Sequence, residues 1–396
     1  MTKVFSFGPT PLANAFLKPE QIYQPEYLFP LDVHFCHDCT MLQLRDIISP
    51  EYMFKDYVYV SSTSPVFIKH FEDLALGVYR RFGLDKKSVV VDIGSNDGIL
   101  LKPLKKLGVK VLGIDPAIPV AKIARQNGVA TLTSFFNRNV AKAVLSKYGP
   151  VDIVTGTNVF AHVNDLDELI SGVREMTKSD GVFIIEVPYL VDFIEKNLFD
   201  TVYHEHLSYF AVKPMRELFD RLGMEIFDVI KVSTHGGSIR VFAQKKKAHH
   251  EVTPAVKKFL VMETRAKLHD IATYKNYATR IQTNKAKLIS LLTKLKTQGK
   301  KIAGYGAPGK GNTLLNFFSI GTEVLDFIAD DSPQKQGLFT PGKHIPVVHP
   351  QEIYRQKPDY LFIIAWNFAE SIMKNHARFR DIGGKFIVPV PKPMIV

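Results

Sequence analysis

At 396 residues the chain is longer than a single domain usually runs. With 46% hydrophobic and 23% charged residues it has the makeup of two or three globular units, each burying its own core. No run of about 18 apolar residues is present to cross a bilayer, which excludes a membrane-spanning protein of the helical kind.

The opening MTKVFSFGPTPLANAFL places prolines and polar residues where a secretory signal needs an unbroken apolar stretch, so a soluble, cytoplasmic protein without a membrane partner is expected. Lys and Arg number 51 against 39 Asp and Glu, and the resulting +12 suits acidic partners, either nucleic acids or phosphorylated small molecules. Much of that surplus lies in the KKK run at 245–247 and the Lys-rich stretch reaching Lys301, a pattern typical of a solvated helix face. No aromatic RNA-reading signature accompanies it, so a small phosphorylated ligand is the expected partner rather than nucleic acid.

Residues 1–70 are rich in aromatics and prolines, with short apolar runs such as LFPLDVHF, and read as a small irregular or β-containing module. Its Cys36 and Cys39 are the only cysteines, and their two-residue spacer suits metal ligation or a redox pair. Across 71–250 the order is α/β: a helical stretch FIKHFEDLALGVYRRFGL, then strands SVVVDIG, VKVLGID, VDIVTGTNVF and GVFIIEVPYL with helices between them. MEIFDVIKV and GSIRVFAQK read as the antiparallel pair that often closes a mixed sheet, giving one doubly wound domain. Residues 251–299 carry apolar positions at helical spacing between lysines and predict a long connecting helix, broken once at most. From 300 to 396 the strand-and-turn pattern restarts with KIAGYGAPGKGNTLLNFF, VLDFIADD, PDYLFIIAW and KFIVPVP, a second and smaller α/β unit.

In open α/β sheets, ligands bind beyond the carboxyl ends of the central strands, where glycine lets the backbone approach and a helix N-terminus follows. The turn Asp92, Gly94, Ser95, Asn96, Asp97 and Gly98 stands at such a place, and Asp115, followed by Pro116, ends the next strand. Asp115 lies 23 residues past Asp92, close to the roughly 20 expected of a ribose-binding carboxylate. The spacing DxGxxxG departs from the dinucleotide fingerprint GxGxxG. Carboxylates at its head disfavour a pyrophosphate and tolerate a cation, which points to S-adenosylmethionine rather than NAD. Ser134, Phe135 and Phe136 after the third strand are candidates to flank adenine, although phenylalanines at such a junction serve equally as core. Asn158, ending the fourth strand, faces the same crevice.

The densest polar cluster is Tyr203, His204, Glu205 and His206 in FDTVYHEHLSYF. HEH lacks the spacing of HExxH, so acid–base work fits better than zinc, with a histidine accepting a proton and Tyr or Glu orienting it. His162, after the fourth strand, projects from the same sheet edge.

Together, FDTVYHEHLSYF, THGGSIRVF, GYGAPGKGNTLLNFF and the closing FIVPVPKP resemble the nucleotide-sugar C-methyltransferases of deoxysugar biosynthesis, and the likeness runs through essentially the whole chain. The resemblance implies an N-terminal zinc module, a central class I methyltransferase sheet and a C-terminal Rossmann-like domain that helps hold a nucleotide-linked 4-keto-6-deoxysugar. It implies deprotonation at C-3 beside the C-4 ketone and attack of the enolate on the methyl of S-adenosylmethionine. It makes His206 the base, with Tyr203, Glu205 and His162 contacting the sugar or orienting that base, and Tyr57 reaching in from the first module.

In the third unit, GAPGKGNTLLN combines the Gly306 turn with Lys310 and Asn312 at an expected helix start, a pattern that suits an anionic phosphate. Asp330, Asp331, Lys335 and Gln336 end the next strand and are placed to read the nucleotide or its diphosphate. Gly236, Gly237 and Arg240 open a strand where glycine admits a sugar and Arg pairs with diphosphate. Family members carry two CxxC pairs, the first upstream of FSFGPTPLANAF, whereas this chain begins just before that segment. Cys36 and Cys39 are then half of a zinc site: His34, His37 or another ligand completes it, the start is truncated, or zinc is absent. Oligomeric state is not written in the sequence, and a monomer suffices for this layout.

Overall fold

The run VVVDI at Val89–Ile93 (β4) is buried at all five positions, as a central parallel strand with helices on both faces requires. The computed structural model to which it belongs describes residues 1–54, 60–63 and 65–396. Thr2–Thr10 (β1), Phe29–Phe35 (β2) and Leu42–Leu44 (β3) precede it as an antiparallel sheet. After β4 come Lys110–Ile114 (β5), Thr131–Leu132 (β6), Val151–Thr157 (β7) and Thr177–Pro188 (β8). Ser208–Tyr209 (β9), Met224–Val232 (β10) and Ser238–Lys245 (β11) complete the first two-thirds of the chain.

The central sheet runs β10-β11-β8-β7-β4-β5-β6, parallel except for β11, which is antiparallel to both neighbours. The expected hairpin of MEIFDVIKV and GSIRVFAQK is therefore present, and it closes this sheet. Strand order turns back between β4 and β7, so their carboxyl ends open a crevice for a ligand. The helix Pro65–Arg81 starts on a proline suited to a first helical turn and stops short of Gly83, whose φ of +59° cannot continue it.

The first sheet has an unexpected fourth member. β9 pairs with β3, so a strand from the middle of the chain completes the module built by the N-terminus. The loop leading into β9 carries Tyr203 to His206, and this pairing fixes where the loop ends.

Two helices follow. Pro254–Arg265 ends before Lys267, which takes a left-handed φ of +54°, and Asp270 then caps Ile271–Thr297 through the Ala272 amide. The longer helix buries Tyr274, Tyr277, Ile281, Leu288, Leu292 and Leu295, the three- and four-residue spacing of one face. Asn284 on that face donates to the Pro389 carbonyl at 3.2 Å and ties it to the last module. That module is a second sheet of Ile302–Tyr305 (β12), Ile328–Ala329 (β13), Val347–Val348 (β14), Tyr360–Ile363 (β15), Lys385–Val388 (β16) and Met394–Ile395 (β17). Its order β14-β13-β12-β15-β16-β17 is parallel up to β16, with its own turning point between β12 and β15. Among the described residues no helix is long and apolar enough to cross a membrane.

Candidate active site

The turn after β4 is shaped by residues that accept left-handed backbone. Gly94 and Gly98 have φ of +68° and +81°, and Asn96 takes +49°. A Cβ on Gly94 would lie 2.7 Å from Val159 Cγ2, so the close approach of the β7 loop requires glycine there. Asp115 binds the turn from the end of β5, accepting the Asn96 amide at 2.8 Å on one oxygen and the Ala117 amide at 2.9 Å on the other. Asp92 is buried and accepts from Thr155 Oγ1 at 2.6 Å. Burial, with the charge of Asp115 nearby, raises its carboxyl to about 7.

Around this turn three buried polar atoms have no partner among the described residues: Ser95 Oγ, Asp97 Oδ1 and Asn158 Oδ1. Asn158 itself has a φ of +57°. Unpaired buried polar groups are rare because each costs free energy, and three around one glycine turn fit a polar ligand such as the amino acid and ribose ends of S-adenosylmethionine. Asp92, Gly94, Ser95, Asn96, Gly98, Asp115, Pro116 and Asn158 therefore meet at one place. The Ser61 amide donates to Asn96 Oδ1 at 2.8 Å and brings the segment before helix Pro65–Arg81 over the turn, a contact the sequence did not announce.

Phe136 is a correction. A Cβ on Gly172 would meet its ring at 3.1 Å, so Phe136 fills the junction of two helices as core rather than flanking adenine. Ser134 Oγ turns back onto the Phe135 carbonyl at 2.9 Å, which leaves Phe135 as the half-exposed ring at this end of the crevice.

The loop before β9 holds the second half of the site. His206 Nδ1 lies 2.7 Å from the Thr201 carbonyl and its Nε2 lies 2.9 Å from Tyr203 Oη. The carbonyl can only accept, so Nδ1 carries the proton, Nε2 keeps its lone pair, and the Tyr203 hydroxyl donates to it. Burial holds His206 well below 6.5, helped by His162, His235 and Lys310, so its ring is neutral at physiological pH. The rings of His162 and His206 meet edge-on at 4.9 Å. His162 is pushed down to about 4, chiefly by burial, and Phe54 of the first module covers it edge-on at 5.5 Å. Tyr57 lies outside the described residues.

Glu205 turns the other way and accepts from Asn14 Nδ2 at 2.5 Å, and His204 Nε2 rests on the Phe29 and Pro30 carbonyls at 3.2 Å. Both fasten the loop to the N-terminal module. His235, inside THGGSIRVF but not singled out there, joins the cluster. Its φ is +53°, its ring lies 5.5 Å from Phe67, and burial with the charge of Lys310 pushes it down to about 4. Its Nε2 is another buried atom without a partner among the described residues.

Several expected ligand contacts take structural roles instead. Arg240 is spent on Glu186 of the adjacent strand, with Nε and Nη2 on one oxygen at 3.0 and 2.9 Å, while His70 Nε2 holds the other at 2.7 Å. Glu186 is fully buried, so this cation neutralises an internal carboxylate and is not available to a diphosphate. The open side of Gly237 is filled by Asp192, and that of Gly306 by Ala365, whose Cβ would lie 2.6 Å from one on the glycine. Protein thus fills the space where sugar was expected at Gly237 and phosphate at Gly306. Asn312 is buried and donates to the Ala13 carbonyl at 2.6 Å, which removes it from phosphate binding.

At the ends of β12 and β13, Asp331 accepts from Tyr305 Oη at 2.8 Å, Lys335 Nζ donates to the Ala307 carbonyl at 2.8 Å and Gln336 Nε2 to the Asp330 carbonyl at 2.9 Å. Asp330 in turn accepts the Ala307 amide at 2.6 Å. Lys310 stands apart from this group and meets Asp200 at 3.8 Å, in the catalytic loop. Asp200 also accepts from Trp366 Nε1 at 2.5 Å.

Zinc does not fit the donors present. Among the described residues no group of three His, Cys, Asp or Glu is arranged to hold a metal. His37 Nε2 is engaged with Thr2 Oγ1 at 2.9 Å, and Cys36 and Cys39 remain two thiols where a closed site needs four ligands. No chemistry is routed through a metal here.

A seven-stranded sheet with one reversed strand, a glycine turn after its central strand and a carboxylate ending the next define a class I S-adenosylmethionine-dependent methyltransferase. Residues 67–229 match the family described as "Methyltransferase domain", residues 233–391 the "C-methyltransferase C-terminal domain", and residues 1–54 the "Putative zinc binding domain". The C-methyltransferase NovU of Streptomyces niveus is 39% identical over 393 residues, 99% of this chain and 94% of NovU. The chain belongs to this C-methyltransferase family. A ubiquinone biosynthesis O-methyltransferase of Bartonella quintana (strain Toulouse) is 22% identical over 160 residues, 36% of this chain and 63% of that one. Magnesium protoporphyrin IX methyltransferase from Synechocystis PCC 6803 is 17% identical, with a TM-score of 0.37 over 50% of this chain and 92% of that one.

Proposed function

We propose that the protein transfers a methyl group to C-3 of a nucleotide-linked 4-keto-6-deoxysugar, with His206 removing the C-3 proton. The observation that carries this reading is a neutral imidazole whose tautomer is fixed by the Thr201 carbonyl, so that a lone pair on Nε2 faces Tyr203. A base for carbon deprotonation must be unprotonated at working pH and held in place, and His206 is both. Membership of a C-methyltransferase family supports carbon as the acceptor.

S-adenosylmethionine supplies an electrophilic methyl group when bound. Asp115 is placed to accept the ribose hydroxyls, while Asp92, Ser95, Asp97 and Asn158 offer acceptors and a donor to its charged end. Proton abstraction runs through the Tyr203–His206 pair, and the imidazole ends with the proton. His162, pushed down to about 4, is itself neutral beside His206 at physiological pH. The ends of β12 and β13, with Asp331, Lys335 and Gln336, are the reading's candidate for the nucleotide, at the turning point of the last sheet.

Proton NMR of a 4-keto nucleotide sugar in D2O tests it. The wild-type protein should exchange the C-3 proton for deuterium, and His206→Asn should abolish exchange and turnover while S-adenosylhomocysteine still binds. A wild-type enzyme that methylates without C-3 exchange would be transferring to another atom, oxygen included.

A further inference from the structure

The helix Gly309–Phe318 belongs to the third module, yet it packs along its length on the catalytic loop. Thr313 Oγ1 donates to the Val202 carbonyl at 2.8 Å and Phe318 stacks on Phe199 at 5.0 Å. A Cβ on Gly309 would collide with Asn14, the residue that holds Glu205. The second residue of this helix, Lys310, therefore reaches the loop that carries the base. We infer that Lys310 binds the C-4 oxygen of the keto sugar and carries the charge that develops there when His206 removes the C-3 proton, an inference that rests on the carbanion reading above.

Three observations support this placement over a diphosphate contact. The Lys310 ammonium lies 3.8 Å from Asp200 Oδ2 and 4.3 Å from the Trp366 ring, and Trp366 Nε1 pins the same carboxylate oxygen. Asp200 is completely buried, so the ammonium is aimed by a fixed carboxylate and an aromatic wall. At 3.8 Å the pair is an ion contact longer than a hydrogen bond, which leaves N–H donors to reach an incoming oxygen. The positive charge of Lys310 adds to the burial that lowers His206 and His235, while burial holds Lys310 itself below the usual lysine range and the charge of Asp200 works to raise it. The groups at the mouth of the β12 crevice, Asp330, Asp331 and Lys335, bond to one another and lie on a different strand end.

The chemistry balances within the site. The C-3–H bond breaks through the Tyr203–His206 pair: its proton goes to the Tyr203 oxygen as the Tyr203 hydroxyl proton passes to His206 Nε2. The electron pair forms the C-3–C-4 double bond, and the carbonyl π pair moves to oxygen beside the Lys310 ammonium. When C-3 then bonds the methyl carbon, the carbon–sulfur bond breaks and the ketone returns. An ammonium in place before reaction stabilises the oxyanion without reorganising, and removing one such donor typically costs about 10²–10³ in rate.

The test uses the full-length protein with Lys310→Met, and Lys310→Arg as the charge-keeping control. C-3 exchange in D2O and methyl transfer should both fall about 100-fold in Lys310→Met. Affinity for a nucleoside diphosphate, measured by calorimetry, should change by less than about threefold, since a change of that size is under 1 kcal/mol. The acid limb of the exchange profile should move to higher pH in Lys310→Met and stay in place in Lys310→Arg, because the positive charge facing His206 has gone only in the first. His162, His235 and Tyr203 also face that ring, with His70 and Glu186 behind His235, and all are retained in both variants. Tenfold weaker diphosphate binding with an unmoved acid limb would assign Lys310 to the phosphates and overturn the inference. So would wild-type rates of exchange in Lys310→Met. A wild-type protein that itself fails to exchange C-3 fails the carbanion reading instead. A Lys310→Met protein that does not fold leaves the decision to Trp366→Phe, which frees Asp200 and should slow exchange without weakening diphosphate binding; unchanged exchange there would sink the inference.

Discussion

Asp92 on β4 and Thr155 on β7 face each other across adjacent parallel strands, and the Thr155 hydroxyl donates to the Asp92 carboxylate at 2.6 Å. One hydrogen bond does not offset full burial, and the carboxyl stays near 7. A cationic ligand favours the ionised form. Affinity for S-adenosylmethionine should therefore rise as pH climbs through about 7, with a proton released on binding below that pH. Calorimetry in buffers of different ionisation heat counts the proton. Asp92→Asn should bind more weakly at pH 8 and release none; unchanged release would place the titrating group elsewhere.

Gly94→Ala should bind S-adenosylhomocysteine at least tenfold more weakly. The new methyl meets Val159 and the backbone stays in left-handed space, a strain of about 1–3 kcal/mol. Adding Val159→Gly removes both the Cγ2 at 2.7 Å and the Cβ at 2.9 Å but not the backbone term, so it should recover part of the loss. Full recovery would mean that the collision alone mattered, and none would mean that the turn fails for another reason.

Arg240→Gln leaves Glu186 buried with His70 and Thr234 as its remaining partners, and should destabilise the fold by about 3 kcal/mol. The double change Arg240→Met with Glu186→Met should cost less, because no charge is left behind. Urea melts of the three proteins decide it. If Arg240 served a diphosphate instead, its loss would weaken nucleotide binding and barely move the melt.

His162 and His235 are each held near 4 in the folded protein against 6.5 when exposed. Folded values below the unfolded ones mean that the unfolded chain takes up protons first. The stability these rings contribute is complete above pH 6.5 and is lost as pH falls from 6.5 toward 4, by up to about 3 kcal/mol each before their mutual coupling is counted. Melting temperature should drop over that window, and His235→Asn should flatten the slope. The same slope in the variant would exclude His235 from the transition.

Much of the central sheet is legible because its strands are long and apolar while its turns use glycine. VVVDIG and its following carboxylates mark the crevice without any contact being known. The catalytic loop is legible as a cluster, since four polar side chains in an apolar stretch need a reason to be there. What the sequence hides is pairing across distance. Arg240 looks like a free cation until Glu186 and His70 are seen beside it, and Asn312 looks like a phosphate ligand until Ala13 takes its amide. Gly237 looks like an opening until Asp192 fills it. Trp366, the single tryptophan of the chain, ends a predicted strand with no sign of its partner Asp200 more than a hundred residues earlier. His235 lies within THGGSIRVF, but its signal is a left-handed histidine, visible only in the backbone.

The pairing of β9 with β3 has a consequence for how the protein is made. Leu42 and Gln43 find their partners Tyr209 and Ser208 roughly 165 residues later, so the edge of the first sheet stays open while the five parallel strands β4 to β8 are synthesised. At about 5–20 residues per second, that edge waits on the order of ten seconds on the ribosome before it is covered. The strand that covers it begins two residues after His206, so closing the first sheet and setting the base in place are one folding event. A nascent chain stalled before that point should present an adhesive strand edge to chaperones, and one released beyond it should not.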